Sequence, residues 1–202
     1  MFIQVFQGKV ADEAGLRRSM DRWMRDLQPG AVGYLGTTCG TCDDGTFVAL
    51  ARFESAEAAQ RNSQRPEQGM WWAETEKCFA GEVTFIDCTE VTQLMSGGSD
   101  DAGFVQIMEG HARDVNRLRE IMMQAGERLH EVRPEVIGGI FSTFGDDGYV
   151  EAIYFTSEEE ARAHEKMEIP DDLRALFEEE QALSGEVSYF DLHQPILVSA
   201  DR

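Results

Sequence analysis

The alternation of apolar and polar positions changes period several times along the chain, and each change marks an element. Residues 2 to 7, Phe-Ile-Gln-Val-Phe-Gln, form a short apolar run that ends at Gly8. The run is too short for a helix and rich in Phe, Ile and Val, so it predicts a strand. Asp12 then offers a helix N-cap, and Leu16, Met20, Trp23, Met24 and Leu27 recur at helical spacing as one apolar stripe until Pro29-Gly30 stops it. Val32 to Thr38 and Phe47 to Phe53 flank Asp43-Asp44-Gly45, a hairpin signal. Ser55 caps a short helix through Asn62, and Pro66 breaks it. Trp71, Trp72, Thr75, Cys78 and Phe79 give another helical stripe, and Val83 to Cys88 closes the series as a strand.

The series then returns. Phe2-Ile3-Gln4-Val5-Phe6-Gln7-Gly8 reappears as Phe104-Val105-Gln106-Ile107-Met108-Glu109-Gly110, and the same offset pairs Asp12 with Asp114, Leu16 with Leu118 and Met20 with Met122. Ile121, Ala125 and Leu129 extend the second stripe, Pro134 precedes a second strand, Ser157 caps a short helix, and Pro170 precedes a helix carrying Leu173, Leu176, Phe177 and Leu183. Gly81-Glu82-Val83-Thr84-Phe85-Ile86-Asp87 matches Gly185-Glu186-Val187-Ser188-Tyr189-Phe190-Asp191, with small loop insertions accounting for the drift in register. A period this long means a duplicated small domain rather than a solenoid. The repeat sets domain limits at 1–95 and 103–198, joined by a polar linker at 96–102 that contains Ser96-Gly97-Gly98-Ser99.

Each copy reads βαββαβ, the ferredoxin-like motif, which gives an α+β class. Helices cover one face of such a sheet and the other face must also be buried, so a second sheet in the same chain is the expected cover. The two repeats are therefore expected to pack sheet to sheet as an intramolecular pseudo-dimer.

Composition narrows the partners. The 202 residues carry a net charge of −20, with the acidic excess greater in the second copy. Such a surface repels phosphates and excludes nucleic acid and anionic membrane as partners. The opening Met1 to Phe6 lacks a basic leader segment and no apolar run approaches membrane-spanning length, so a cytoplasmic protein is expected. Two copies that satisfy each other within one chain imply a monomeric pseudo-dimer, with a homodimer formed through other surfaces as the alternative.

The strand-to-helix junctions Phe53-Glu54-Ser55-Ala56-Glu57-Ala58-Ala59 and Phe155-Thr156-Ser157-Glu158-Glu159-Glu160-Ala161 resemble those of antibiotic-biosynthesis-monooxygenase-like domains of the dimeric α/β-barrel superfamily. The resemblance spans both copies and rests on element order plus that junction. It implies a pseudo-dimeric barrel whose cavity between the sheets, if open, takes a small apolar or aromatic ligand. The superfamily also holds haem-degrading enzymes and proteins without known chemistry, so residues must decide the function.

For haem, the resemblance implies an iron-ligating His on the helix after the short one. Met70-Trp71-Trp72 and Arg174-Ala175-Leu176 occupy that stretch, and the histidines lie elsewhere, at His111, His130, His164 and His193. Cys39-Gly40-Thr41-Cys42 is a C-x-x-C without the second pair a structural zinc site uses, and it precedes a hairpin rather than a helix N-terminus. Cys78 and Cys88 stand ten residues apart. No cofactor and no metal are expected.

Cofactor-independent oxygenation needs an electron-rich substrate in a dry pocket, with polar groups that orient it and stabilise an enolate or phenolate. Gln4 and Gln106 are the first candidates, each mid-strand among apolar residues. If Ile3 and Val5 face the helices, alternation points both amides between the sheets, where a hydrogen bond across the pseudo-twofold is the structural role and orienting a ligand the functional one. Arg52, Asn62, Trp71 and Trp72 complete a first-copy cluster: an anion-binding or salt-bridged arginine, a polar helix terminus, and an aromatic wall or core. His164 replaces Asn62 and Ala175-Leu176 replaces the two tryptophans in the second copy, so the first copy is the place to look. Asp87 and Asp191 close equivalent strands as capping residues or acid-base groups, and Glu158-Glu159-Glu160 and Glu178-Glu179-Glu180 read as solvated helix faces. Three functions fit: a small-molecule-binding, monooxygenase-like protein; a noncatalytic interaction or stress-associated barrel that is completely packed; and a haem or metal protein.

Overall fold

The computed structural model describes residues 1–166, 168 and 170–200, with the side chains of Glu127, His130 and Asp172 outside that description. In the first copy β1 (Phe2–Lys9) leads to α1 (Glu13–Arg22), whose first turn is held by Asp12 accepting from the Gly15 N–H at 2.8 Å. The helix continues as a π-helical turn over Trp23–Leu27 and a 3-10 turn over Gln28–Gly30. The wider turn keeps Trp23 and Leu27 buried in line with Leu16 and Met20. The hairpin β2 (Tyr34–Thr41) and β3 (Thr46–Phe53) follows, then α2 (Ala56–Ser63) capped by Ser55 and α3 (Pro66–Thr75). Pro66 ends one helix and opens the next, standing where its missing N–H has no intrahelical partner to lose. β4 (Thr84–Cys88) closes the copy and β5 (Glu90–Leu94) comes after it.

The second copy repeats the order as β6 (Phe104–Ala112), α4 (Val115–Val132), β7 (Val136–Phe144), β8 (Gly148–Phe155), α5 (Glu158–His164), α6 (Asp171–Leu183) and β9 (Ser184–Leu192), with β10 (Ile196–Ser199) at the end. Asp114 and Ser157 cap α4 and α5 through the Arg117 and Glu160 N–H groups. The two sheets run β10-β2-β3-β1-β4 and β5-β7-β8-β6-β9. Thus β5 and β10 add an edge strand to the four read in each copy; both are short and mostly half-exposed, so neither makes an apolar run. Met1–Asp87 with the segment from Val198 forms one compact unit, and Cys88–Leu197 forms the other. Among the described residues, no helix is long and apolar enough to cross a membrane.

Pairing fixes which side chains share a face. In the first unit Phe2, Gln4 and Phe6 stand opposite Phe53, Ala51 and Ala49, and β2 adds Tyr34, Thr37 and Cys39 opposite the same three. Directly opposed residues point the same way, and this set lies under α1, α2 and α3. Ile3, Val5, Val48 and Leu50 occupy the other face and are also buried. The expected orientation of β1 is therefore reversed: Gln4 faces the helices, and Ile3 and Val5 face away.

Gly36 sits at a bulge in β2, where the register slips between Tyr34 and Gly36, with φ at 150°. A Cβ there would run into the Arg52 guanidinium and the Val198 carbonyl. Gly138 holds the same bulge in β7, closed in by the Gly97 carbonyl. Gly36→Ala is expected to cost roughly 1–3 kcal/mol, from backbone strain and displacement of the edge segment. Denaturant unfolding measures this; a variant as stable as the parent would show that the bulge tolerates a side chain.

Candidate functional site

A cavity of about 290 Å³ opens between the first unit's sheet and its helices. Its floor is the helix face of the sheet, with Gln4, Phe6, Ala51 and Phe53, and the small side chain of Ala51 leaves the room above Gln4. Three rings form an aromatic wall: Trp72 packs edge-on against Phe6 at 5.7 Å and against Phe85 at 5.1 Å, and Phe6 stacks on Phe85 at 5.8 Å. Such rings favour a flat apolar ligand.

The polar groups around this wall are individually held. Asn62 is buried and its Oδ1 accepts from Arg65 Nη1 at 2.9 Å, while the same nitrogen donates to the Leu27 carbonyl at 3.1 Å. That bond assigns the amide orientation and turns the Asn62 N–H groups into the atoms available to a ligand. Gln4 Nε2 donates to Asp87 Oδ1 at 2.9 Å, and both line a second, polar recess beside the cavity that shares Ser63 with it. Trp23 Nε1 donates to Gln68 Oε1 at 2.7 Å, and the Tyr34 hydroxyl donates to Thr37 at 2.7 Å.

The predicted first-copy residues separate into three groups. Gln4, Asn62 and Trp72 come together at the cavity. Trp71 also borders it, but its ring is buried and its Nε1 donates to the Ser19 carbonyl at 2.9 Å, which ties α3 to α1. Arg52 is one register position from Ala51 and so lies on the opposite face, with Ile3, buried beneath Gly36. Sequence reasoning passed over Arg65, Gln68, Tyr34, Thr37 and Phe85; of these only Arg65, three residues after Asn62 on a helical turn, left a spacing signal.

The second unit keeps the glutamine and changes its surroundings. Gln106 Nε2 donates to Asp191 Oδ1 at 2.8 Å, the counterpart of Gln4 and Asp87. Each bond lies within its own unit, where a bond between the copies was the expected structural role: one ties β1 to β4 and the other β6 to β9. Arg162, in the place of Gln60, adds an ion pair to Asp191 and lies over the Phe104 ring at 5.2 Å. Ile153 stands where Ala51 stands and packs into the core. His164 is drawn to buried Glu135 at 2.6 Å rather than into a cavity. His193 pairs with Glu158 and His111 with Asp147, while the His130 side chain lies outside the described residues.

Cys39 is fully buried, which pushes its thiol up to about 12, and burial also raises Cys78. Among the described residues no cluster of three or more metal-ligating side chains occurs.

One group escaped the sequence reading altogether. Glu151 of β8, in the position of Ala49, is buried on the helix face opposite Met108 and Phe141. Burial, with repulsion from Glu180 added, pushes its carboxyl up to about 8. Glu180 is itself raised by burial, which corrects its place on a solvated helix face.

No family model matches the sequence, and no curated protein matches it. Solved structures do resemble it. A protein of Lactobacillus acidophilus NCFM with a provisional monooxygenase name superposes with a TM-score of 0.73 at 14% identity, covering 98% of this chain and 99% of that one. A similarly named protein of Fusobacterium nucleatum gives 0.78 at 10% identity over 98% and 94%. An anthrone oxidase-like protein gives 0.68 at 9% identity over 100% and 94%. The chain has their fold, an α+β ferredoxin-like architecture in tandem, as the two strand-to-helix junctions implied.

Glu151 makes stability depend on pH with a definite sign. Its folded-state pKa lies above the ordinary carboxylate value of 4.5, so its contribution is complete below about 4.5 and is lost as pH rises through about 8. Glu151→Gln is expected to flatten that decline, with a difference on the order of a few kcal/mol between pH 5 and pH 9. Melting curves across this range test it; parallel pH profiles for parent and variant would show that Glu151 ionises freely.

Proposed function

We propose that the first unit binds a small aromatic or enolisable molecule on its helix side and acts as a cofactor-independent monooxygenase-like enzyme. The observation carrying this reading is the pairing of an aromatic wall with an oriented amide: Trp72, Phe6 and Phe85 on one side, the Asn62 N–H groups backed by Arg65 on the other. A phenolate or enolate seated against the rings would direct its oxygen to Asn62. The guanidinium behind that amide strengthens the donor where negative charge collects.

Asp87 would take the substrate proton: Gln4 orients it at the adjoining recess, and among the described residues no arginine pairs with it as Arg162 pairs with Asp191. The carbanionic substrate is itself the reductant. A methylene flanked by aryl groups reacts with one molecule of dioxygen to give the diaryl ketone and one molecule of water. Both methylene C–H bonds break and their hydrogens leave in the water, while one oxygen atom is retained as the new carbonyl. The shared fold with an anthrone oxidase-like protein supports starting with such substrates. A cavity of this size between sheet and helices counts against a first unit that is completely packed and noncatalytic.

An oxygen electrode with anthrone and hydroxylated anthracenones tests the reading. Consumption of dioxygen with carbonyl product is expected, and Asn62→Ala should lower kcat/KM by about 10- to 100-fold through loss of the oriented donor. Trp72→Ala should weaken binding by about tenfold or more, seen as a higher KM. Turnover unchanged in both variants, or absent across the whole panel, would refute it.

A further inference from the structure

A second cavity, of about 240 Å³, lies wholly within the second unit and has no part in the site proposed above. Met108 and Glu151 rise from the sheet, Glu180 and Gln181 come from α6, and Tyr149, Val187 and Tyr189 line the sides beside Ser184 and Gly185. Glu151 is only 4% exposed, and its Oε1 is buried without a hydrogen-bond partner. A buried carboxyl oxygen with nothing to accept is costly. It points to a donor that the protein itself does not provide.

The lining specifies that donor. Two carboxyls and two tyrosines face the space, and among the described residues lining it there is no Lys, Arg or His. The cation that α4 presents to α6, Arg117, is engaged in a forked bond to Glu179 at 2.7 and 2.8 Å and a further bond to Glu120. Two carboxylates fall short of a metal cage, whereas an ammonium group needs only acceptors and, beside them, aromatic faces. Tyr189, 62% exposed, stands at the mouth, and Tyr149, 4% exposed, lies at the base.

We propose that the Glu151–Glu180 cavity of the second unit binds a small primary amine as its ammonium ion, with an alkyl chain against Met108 and Val187. The N–H groups satisfy Glu151 Oε1 and Glu180. Burial keeps Glu151 protonated in the empty cavity at neutral pH, with Glu180 as the facing acid and Tyr149 also raised by burial. Binding therefore exchanges one cation for another: the alkylammonium ion enters, the Glu151 carboxyl gives up its proton to solvent, and a carboxylate–ammonium pair remains. The first unit has Ala49 in the place of Glu151, so this site belongs to one copy only.

Calorimetric titration of the full chain with n-butylammonium tests the proposal, with n-butanol, Mg²⁺ and Mn²⁺ as comparison probes. Affinity for n-butylammonium is expected to tighten more than about tenfold from pH 6 to pH 8, with release of roughly one proton read from the dependence of the heat on buffer. Glu151→Gln should abolish the tightening and Glu180→Gln should weaken binding by about tenfold, each in a variant that keeps the parent circular dichroism. Should Glu151→Gln fail to fold, Glu180→Gln and the proton release decide the question. Equal affinity for n-butanol, pH-independent binding, retained affinity in Glu180→Gln, binding of the metal ions alone, or no heat with any probe would each overturn it.

Discussion

The structure depends on one constraint, the antiparallel register between the first strand of each copy and the central hairpin strand beside it, β1 with β3 and β6 with β8. Because pleated strands alternate sides with a period of two, placing Gln4 opposite Ala51 also places Phe6 opposite Ala49 and sends Arg52 to the other face. The same register in the second unit sets Gln106 opposite Ile153 and Met108 opposite Glu151. A slip of one residue would bury Arg52 under the helices and remove the amide from the aromatic wall. On the other side of the same strands, the glutamine-to-aspartate bonds tie β1 to β4 and β6 to β9 at the same point in both copies.

On this common frame a few side chains decide what the helix face can do. Ala51 leaves space where Ile153 fills it, and Asn62 presents an amide where His164 turns to Glu135. Gln60 leaves Asp87 facing an open recess, whereas Arg162 reaches Asp191 and covers Phe104. The first unit thereby keeps an apolar cavity with oriented donors, and the second moves its open space toward α6 and fills it with acid. The copies share their strand order and register and differ in the side chains that line their cavities.

The helix caps and hairpins were legible from sequence because each rests on local chemistry: Asp12, Ser55, Asp114 and Ser157 all cap the helices they were read to cap. The orientation of β1 was not legible, since Phe2, Ile3, Val5 and Phe6 are all buried and alternation carries no signal when both faces are covered. Edge strands β5 and β10 escaped for the opposite reason, having too little buried surface to show a pattern. Of the site, Gln4, Asn62 and Trp72 could be named from sequence, while Arg65 needed the helical turn to reveal its bond to Asn62. Glu151 was hidden by its apolar strand, and Glu180 by its place at the end of a run of three glutamates that opens with the exposed Glu178.

The acidic surplus of the second copy acquires a physical meaning from these placements. Most of its carboxylates are exposed or paired with arginines, as Glu179 is with Arg117 and Asp191 with Arg162, and such pairs change local charge little. Glu151 and Glu180 differ because the sheet and α6 withhold both water and a counter-cation from them. An unpaired buried carboxyl responds by keeping its proton, which makes its charge conditional on what enters the cavity. In the first unit the corresponding conditional charge would arise on the substrate, and the protein supplies the fixed donor. The two cavities would thus be opposite electrostatic solutions built on one register, with Asn62, backed by Arg65, receiving negative charge in one and Glu151 and Glu180 receiving positive charge in the other.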